Sequence, residues 1–514
     1  MINITKKNDV YMHIDGVERS VAEDLYGEFS FMAPNARYDQ RFKSGKWDGM
    51  IHLYNKQKST LYTGLIYDLI AFLDKAQLPY AVADEVFGDV ATVESDDIKE
   101  LGELIPVSSG GKAITPYDYQ ADAVATALSL KRAVLIAATS AGKSLIIYLW
   151  MRLIQLQLVE DEKQGKILII VPRSSLVEQL YSDFEDYSKL DDNWFCHKHV
   201  QKVSGKYSKT FKNNVIISTW QSLAKADRDM LDEEVAAVAV DEVHTAAASS
   251  IKDILSSLKN CPYRIGLTGT LDNSESNKMV IQGLIGPVVK IVSAKELMEL
   301  GTATKVTVNV MLLKYPKDEI KKLKQTKKEL EESSNIYTKD NIKRKKYVTE
   351  MELIESYKPR NDFISSLTTV YDGNTIIFHD KKAHAETLKE SIKKLKDNVV
   401  TINGDIDVDI REDIRTLAEL SNDLVIIASY GTSSAGVSIK RLHNLIFASP
   451  TKSVVRVLQS IGRMMRLHET KEVANVIDIV DDIGPDCYSL GQAEARLRYY
   501  YEQGFDVIFN EFEL

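Results

Sequence analysis

The segment Ala137-Ala-Thr-Ser-Ala-Gly-Lys-Ser144 has the residue types that cradle a polyphosphate. An apolar run, Ala133-Val-Leu-Ile-Ala137, precedes it and helix-prone Leu145-Ile-Ile-Tyr-Leu-Trp150 follows, the strand–loop–helix setting such a loop needs. Gly142 lets backbone N–H groups approach phosphate, Thr139, Ser140 and Ala141 complete the loop, and the helix N-terminus presents its positive dipole. Lys143 is placed to neutralise the β- and γ-oxygens and the Ser144 hydroxyl to ligand Mg²⁺, so the expected cofactors are ATP and Mg²⁺. Ala137 stands where the first glycine of G-x-x-x-x-G-K-[ST] is expected, and Ser140 where a further glycine is common.

About a hundred residues on, the apolar run Val235-Ala-Ala-Val-Ala-Val240 delivers Asp241-Glu-Val-His244. Asp241 is placed to hold Mg²⁺, and Glu242 is the candidate general base for an attacking water. His244 either couples this site to the next element or is a satisfied histidine at a strand end. Leu267-Thr-Gly-Thr270 closes the following strand, and the hydroxyls of Thr268 and Thr270 suit a relay of the γ-phosphate state. Gln120, in Pro116-Tyr-Asp-Tyr-Gln120, can donate and accept toward an adenine edge, although an isolated glutamine is more often a surface residue. Much later, Gln459-Ser-Ile-Gly-Arg-Met-Met-Arg466 offers Arg463 and Arg466 at i, i+3, one face of a helix. An arginine reaching the γ-phosphate stabilises transition-state charge, so ATP is expected in a cleft between two domains. Gly436, in Tyr430-Gly-Thr-Ser-Ser-Ala-Gly-Val-Ser438, can bring backbone close to ATP or to a nucleic-acid phosphate.

The elements that must position these residues are legible as short apolar runs separated by loops and helices. Ala133–Ala137, Ile167–Val171, Val215–Ser218, Val235–Val240 and Arg264–Thr268 form one series. Thr375–Phe378, Val399–Ile402, Leu424–Ala428, Leu445–Ala448 and Val473–Asp478 form a second. Runs that are apolar on both faces suit parallel strands covered by helices, so two consecutive α/β domains are predicted. Ahead of them, residues 1 to about 90 read as a compact α+β unit, with a helix over Val17–Phe31 and strands at Met50–Tyr54 and Leu61–Leu65. Polar residues 91–113 read as a linker, and 314–350 as a solvated charged helix or insertion.

Composition sets the outer limits. The 514 residues suffice for several cores, and 44% apolar with 27% charged residues is ordinary for a soluble globular chain. Cys196, Cys261 and Cys487 are far apart and lack metal-ligand spacing, which reads as thiols in a reducing compartment. No 18-residue apolar run and no signal-like N-terminus appears, so a cytoplasmic protein without membrane attachment is expected. The net charge of −9 argues weakly against nucleic acid, because phosphate contacts are local. Residues 36–58 carry six Lys/Arg against two Asp, and 314–346 twelve Lys/Arg against six Asp/Glu. Candidate backbone-gripping segments follow strand ends: Pro172-Arg173-Ser-Ser175, Ser218-Thr219-Trp220-Gln221-Ser222, and Gly404-Asp405 with Arg411. Trp220 suits base stacking or the core equally. Lys43, Lys46 and Trp47 are placed to grip duplex, unless Trp47 is a packing residue.

Taken in order, Gln120, AATSAGKS, VPRSSL, STWQSL, DEVH, LTGT, ASYGTSSAGVSI and QSIGRMMR resemble the motif set of superfamily 2 helicases over residues 114 to about 480. The TSAGKS loop, the DEVH box and Arg41-Phe-Lys-Ser-Gly-Lys-Trp-Asp-Gly49 are similar to the recombination helicases of T-even phages, whose pattern shares the departures at Ala137 and Ser140. The resemblance implies two tandem RecA-like parallel-sheet domains, a small α+β N-terminal domain and a short helical C-terminal extension. Expected boundaries are 1–95 for nucleic-acid binding, 96–296 and 297–480 for the two helicase domains, and 481–514 for the extension. It further implies ATP-driven unwinding and branch migration of forked, Holliday-junction and R-loop substrates in phage recombination, repair and replication. The implied partners are branched, duplex and single-stranded DNA, with RNA–DNA hybrid a further candidate, in the host cytoplasm. Oligomeric state is open, with a monomer compatible. Two alternatives remain: a duplex translocase that does not separate strands, and a non-catalytic binding or annealing scaffold.

Overall fold

The computed structural model describes residues 1–34, 36–88, 92–101, 104–162, 164–205, 210–246, 249–271, 275–332, 339–403, 408–433, 439–484 and 486–514. The chain divides into two compact units, Met1–Val292 and Ser293–Leu514.

The first unit is built on a seven-stranded, all-parallel sheet. Its order is Val200–Val203, Val215–Thr219, Lys166–Val171, Val235–Asp241, Tyr263–Thr268, Arg132–Ala137, Val288–Val292. The central strands are buried along nearly their whole length, as their unbroken apolar sequences require. Because every strand runs the same way, all their C-terminal ends open on one edge. That edge collects the loops after Ala137, Val171, Thr219, Asp241 and Thr268, the crevice where open α/β sheets bind ligands.

The N-terminal segment forms a four-stranded mixed sheet in the order Thr60–Tyr62, Tyr11–Asp15, Ile2–Lys6, Tyr80–Val82. Helices Arg19–Glu28 and Ile66–Lys75 cover it through Leu25, Leu69 and Leu73, none of which is exposed. Its apolar core runs on without a break into that of the large sheet. The Asp9 N–H donates to Lys259 O at 2.8 Å, Arg132 Nη1 donates to Asp9 O at 3.2 Å, and Gln282 Nε2 donates to Asp68 at 2.5 Å. The expected strand at Leu61–Leu65 is shorter than its apolar run: the strand ends at Tyr62 and a 3₁₀ turn, Thr63–Leu65, follows. Within the stretch expected to be a linker, Ser95–Glu100 is a capped helix, and Ser108–Ser109 pairs with Lys112–Ala113.

The second unit repeats the plan, in the order Val399–Ile402, Val425–Ser429, Thr375–His379, Asn444–Phe447, Val473–Asp482, Lys305–Lys314, Asp506–Glu513, again all parallel. The charged stretch after Lys314 forms helices Lys317–Glu332 and Lys339–Ser356. Leu323, Met351 and Ile354 are buried there, and Lys327 pairs with Glu350 at 2.5 Å. The extension after residue 480 differs from a purely helical one. Helix Tyr488–Glu502 is followed by Asp506–Glu513, which pairs along Thr307–Lys314 as the edge strand of the sheet. Six of its eight positions are exposed and only Val507 and Asn510 are half-buried, so it lacks the apolar run of an inner strand. Among the described residues, no helix is long and apolar enough to cross a membrane, and the three cysteines are free thiols, two of them buried.

Candidate nucleotide site

The loop Ala138–Gly142 connects strand Arg132–Ala137 to the 18-residue helix Lys143–Glu160. Gly142 takes φ +77°, a left-handed turn that aims the first N–H groups of the helix outward, and as the N-cap residue it has no side chain to cap them. Ser140 also sits at φ +74°, where a residue with a Cβ is strained by about 1–2 kcal/mol. Lys143 reaches back to Ala137 O at 3.4 Å. Gly269 packs beside the loop, leaving 3.2 Å between Thr139 Oγ1 and the place its Cβ would occupy.

Gln120 is buried, and both ends of its amide are engaged. Oε1 accepts from Tyr117 N–H at 3.0 Å, and Nε2 donates to Ala141 O at 2.9 Å. One N–H and one lone pair of the amide remain beyond these two bonds, and through Ala141 O the side chain braces the phosphate loop. Ser144 Oγ lies 2.8 Å from the Tyr187 hydroxyl, a partner no sequence motif marks.

Asp241 ends its strand, and Glu242 turns out of it at φ +51°, ψ +51°. Strained backbone of this kind, about 1–3 kcal/mol, is characteristic of residues whose aim matters. Burial, and then the adjacent Glu242 carboxylate, push Asp241 well above the usual carboxylate range against the pull of Lys143. Glu242 is held below that range: burial opposes this, but Lys143 and His244 outweigh it. Glu242 is thus the ionised member of the pair, the form a general base needs.

His244 and Thr268 complete the cluster. Thr268 Oγ1 donates its single proton to Thr270 O at 2.7 Å and accepts from Thr270 N–H at 3.3 Å. The short contact to His244 Nδ1, 3.0 Å, must then be donated by the imidazole, whose Nδ1 also lies 3.2 Å from Glu242 Oε2. His244 is tied to both the carboxylate and the next strand.

The donor set suits a nucleoside triphosphate with a hard divalent cation. The helix N-terminus after Gly142 and Lys143 are the kind of groups that meet phosphate, and the Ser144 hydroxyl and Asp241 carboxylate offer the oxygen donors such a cation takes. A cation would also relieve the charge penalty at Asp241.

The remaining candidates fall into three groups. Arg173 is exposed, directly before helix Ser174–Tyr187, and Gln221 Nε2 reaches Pro172 O at 3.4 Å, so these two strand-end loops adjoin. Thr219 is buried and caps the short helix Trp220–Leu223 by accepting from Ser222 N–H at 3.3 Å, which commits the hydroxyl expected to meet phosphate. Trp220 is half-buried against the core. In the N-terminal segment Lys43 and Lys46 are exposed. Trp47 is half-buried, donating to Met50 O at 3.1 Å beneath the Arg41 guanidinium, 5.2 Å from its ring centre.

In the second unit Arg463 lies in the last turn of helix Val454–Met464, but Arg466 lies beyond its end. The expected shared helical face is corrected because other groups claim the final carbonyls. Lys471 Nζ donates to Met464 O at 2.7 Å, and Thr304 donates to Met465 O and Arg466 O at 2.7 and 3.0 Å. Gly404 and Gly436 lie outside the described residues.

Three family descriptions match the chain: "DNA helicase UvsW, N-terminal" over residues 2–83, "Type III restriction enzyme, res subunit" over 113–273, and "Helicase conserved C-terminal domain" over 359–468. The ATP-dependent DNA helicase uvsW of Enterobacteria phage T4 is 33% identical over 500 residues, 96% of this chain and 93% of that protein. The crystal structure of T4 UvsW aligns with a TM-score of 0.52 at 29% identity, covering 100% of this chain and 99% of that one. A fragment of a putative HsdR subunit of a type I restriction enzyme from Vibrio vulnificus YJ016 aligns over 82% of this chain and 72% of its own, with a TM-score of 0.57 at 17% identity, a likeness of fold alone.

Proposed function

The chain belongs to the UvsW family of ATP-dependent DNA helicases, and from that premise we propose that it uses ATP–Mg²⁺ to unwind and branch-migrate forked DNA, Holliday junctions and R-loops during phage recombination, repair and replication, in the host cytoplasm. The observation that carries the reading is the cluster of Lys143, Asp241, Glu242, His244 and Thr268 on one edge of one parallel sheet. Lys143 and the N–H groups after Gly142 hold the phosphates, and Ser144 and Asp241 hold the cation. Bound Mg²⁺ neutralises charge that develops on the phosphate oxygens. Glu242 accepts the proton of the attacking water, and its ionised state suits it to do so. Arg463 and Arg466 are assigned to the γ-phosphate charge in the transition state, on the strength of their place in QSIGRMMR.

In the proposed division of labour, 1–95 grips duplex through Lys43, Lys46 and Trp47, while 96–296 and 297–480 form the motor. Arg173 and Gln221, on adjoining strand-end loops, would track one strand by its backbone without reading bases.

The test compares ATP hydrolysis and strand displacement on single-stranded DNA, duplex, forks, four-way junctions and RNA–DNA hybrids. Forks, junctions and hybrids are expected to stimulate hydrolysis and to be separated. Glu242→Gln is expected to slow hydrolysis roughly 10²–10⁴-fold while still binding ATP. Stimulated hydrolysis without displacement would replace this reading by duplex translocation, and undiminished remodelling by Lys143→Ala would remove the motor altogether.

A further inference from the structure

Tyr187 stands in the last turn of helix Ser174–Tyr187, outside every motif, with its hydroxyl 2.8 Å from Ser144 Oγ. Its ring is half-buried beside Tyr148, one turn along the phosphate-loop helix, at 5.5 Å between centroids. A serine hydroxyl has one proton and two lone-pair sites. When it ligates a cation, it gives a lone pair to the metal and must place its proton on another acceptor. At 2.8 Å the Tyr187 oxygen is at ordinary O–H···O distance and can take that proton as a hydrogen bond.

We propose that Tyr187 is a positioning residue for the divalent cation: it accepts the Ser144 O–H and thereby turns the serine lone pairs toward the metal. This rests on the reading of Ser144 as a cation ligand. The ring's packing against Tyr148 fixes where the acceptor stands, and loss of the hydroxyl alone leaves that packing in place.

The test uses the full chain as wild type, Tyr187→Phe and Ser144→Ala, and measures equilibrium binding of a fluorescently labelled ADP with Mg²⁺ and with EDTA. All three are expected to bind equally in EDTA. Tyr187→Phe should lose roughly three- to tenfold of the Mg²⁺-dependent gain in affinity, the worth of one hydrogen bond, and Ser144→Ala nearly all of it. A wild-type Mg²⁺ gain in Tyr187→Phe beside a loss in Ser144→Ala overturns the proposal and leaves Ser144 as a ligand. A wild-type gain in Ser144→Ala overturns both. Equal weakening of Tyr187→Phe with and without Mg²⁺ also overturns it, since that is the signature of a purely structural tyrosine.

Discussion

Arg496 and Asp478 form a two-point ion pair inside the second unit. Nε and Nη2 of the arginine lie 2.9 and 2.8 Å from the carboxylate oxygens, and both residues are buried. Burial works against the charged guanidinium, and Asp478 more than offsets it. Nη1 donates to Thr451 O at 2.7 Å, just ahead of the helix that carries Arg463. The C-terminal helix Tyr488–Glu502 is thereby tied to the strand Val473–Asp482 and to the approach to that helix. Arg496→Met leaves an uncompensated buried carboxylate and should cost about 3–5 kcal/mol. Arg496→Met with Asp478→Asn should recover much of this. Urea unfolding of the full chain checks both, and a loss below about 1 kcal/mol in the single variant would show the pair to be unimportant.

Thr268 gathers His244 at 3.0 Å and Thr270 at 2.7 Å, with Glu242 at 3.5 Å. Thr268→Val keeps the shape and removes the hydroxyl through which His244 meets the neighbouring strand. Hydrolysis should stay within about threefold of wild type, since Glu242 keeps His244 and Lys143, while base pairs opened per ATP should fall at least about fivefold, the worth of one hydrogen bond. The check is parallel measurement of ATP turnover and fork displacement. Equal losses in the two would show Thr268 to serve chemistry and not coupling.

The nucleotide half of this site was legible because its residues follow strands whose two faces are both covered, and such strands carry unbroken apolar runs. Val235–Asp241 and Lys166–Val171 announce themselves in this way. Strands toward the sheet margins do not: Val200–Val203, Val288–Val292 and Lys305–Lys314 mix Lys, Gln, Thr or Asn among the apolar residues, because part of each is in contact with water. Tertiary partnerships were equally hidden. Nothing in the spacing of Gln120 tells that its amide bonds Tyr117 and Ala141, and nothing in an amphipathic helix singles out Tyr187. Arg466 shows the limit of periodicity: i, i+3 spacing implies one face only while the helix lasts, and Lys471 and Thr304 end it first.

His384 makes the second unit sensitive to acid. Its Nδ1 lies 3.2 Å from Ser449 Oγ and its Nε2 3.1 Å from Asn361 Oδ1. The Asp380 N–H already donates to Ser449 Oγ, so the hydroxyl proton is free for Nδ1, and the neutral ring is the form that fits. Burial, and then the Arg360 guanidinium, lower its pKa from 6.5 to about 3. A base whose folded pKa is depressed is carried without penalty above pH 6.5 and destabilises progressively below it. The contribution of His384 should be flat above pH 6.5 and fall by roughly 2 kcal/mol by pH 5, at about 1.4 kcal/mol per unit. His384→Gln should remove most of that slope. Thermal unfolding as a function of pH is the measurement, and the same slope in the variant would assign it to other groups.

Gly64 decides whether the N-terminal segment can seat on the first large sheet. It lies in the 3₁₀ turn Thr63–Leu65, where a Cβ would stand 2.7 Å from Gly283 O and closer still to Gln282 O. Both obstacles are backbone atoms in or next to helix Glu275–Leu284, so no side chain can swing aside. Across the same contact Tyr62 packs on Gly283, and Gln282 donates to Asp68. Gly64→Ala therefore has to push the two segments apart and open the continuous core that joins them. Overpacking against rigid backbone costs at least about 1–3 kcal/mol, and hydrogen exchange should rise along Ile2–Lys6 and Tyr11–Asp15 while the nucleotide loop stays protected. The physical order of events predicts a further asymmetry. Basal ATP hydrolysis should survive, because Lys143 and Glu242 are placed by the large sheet, whereas stimulation by forked DNA should fall, because Lys43, Lys46 and Trp47 are placed by the small one. Wild-type stimulation in a Gly64→Ala protein with raised exchange would show that duplex engagement does not depend on how this segment is seated.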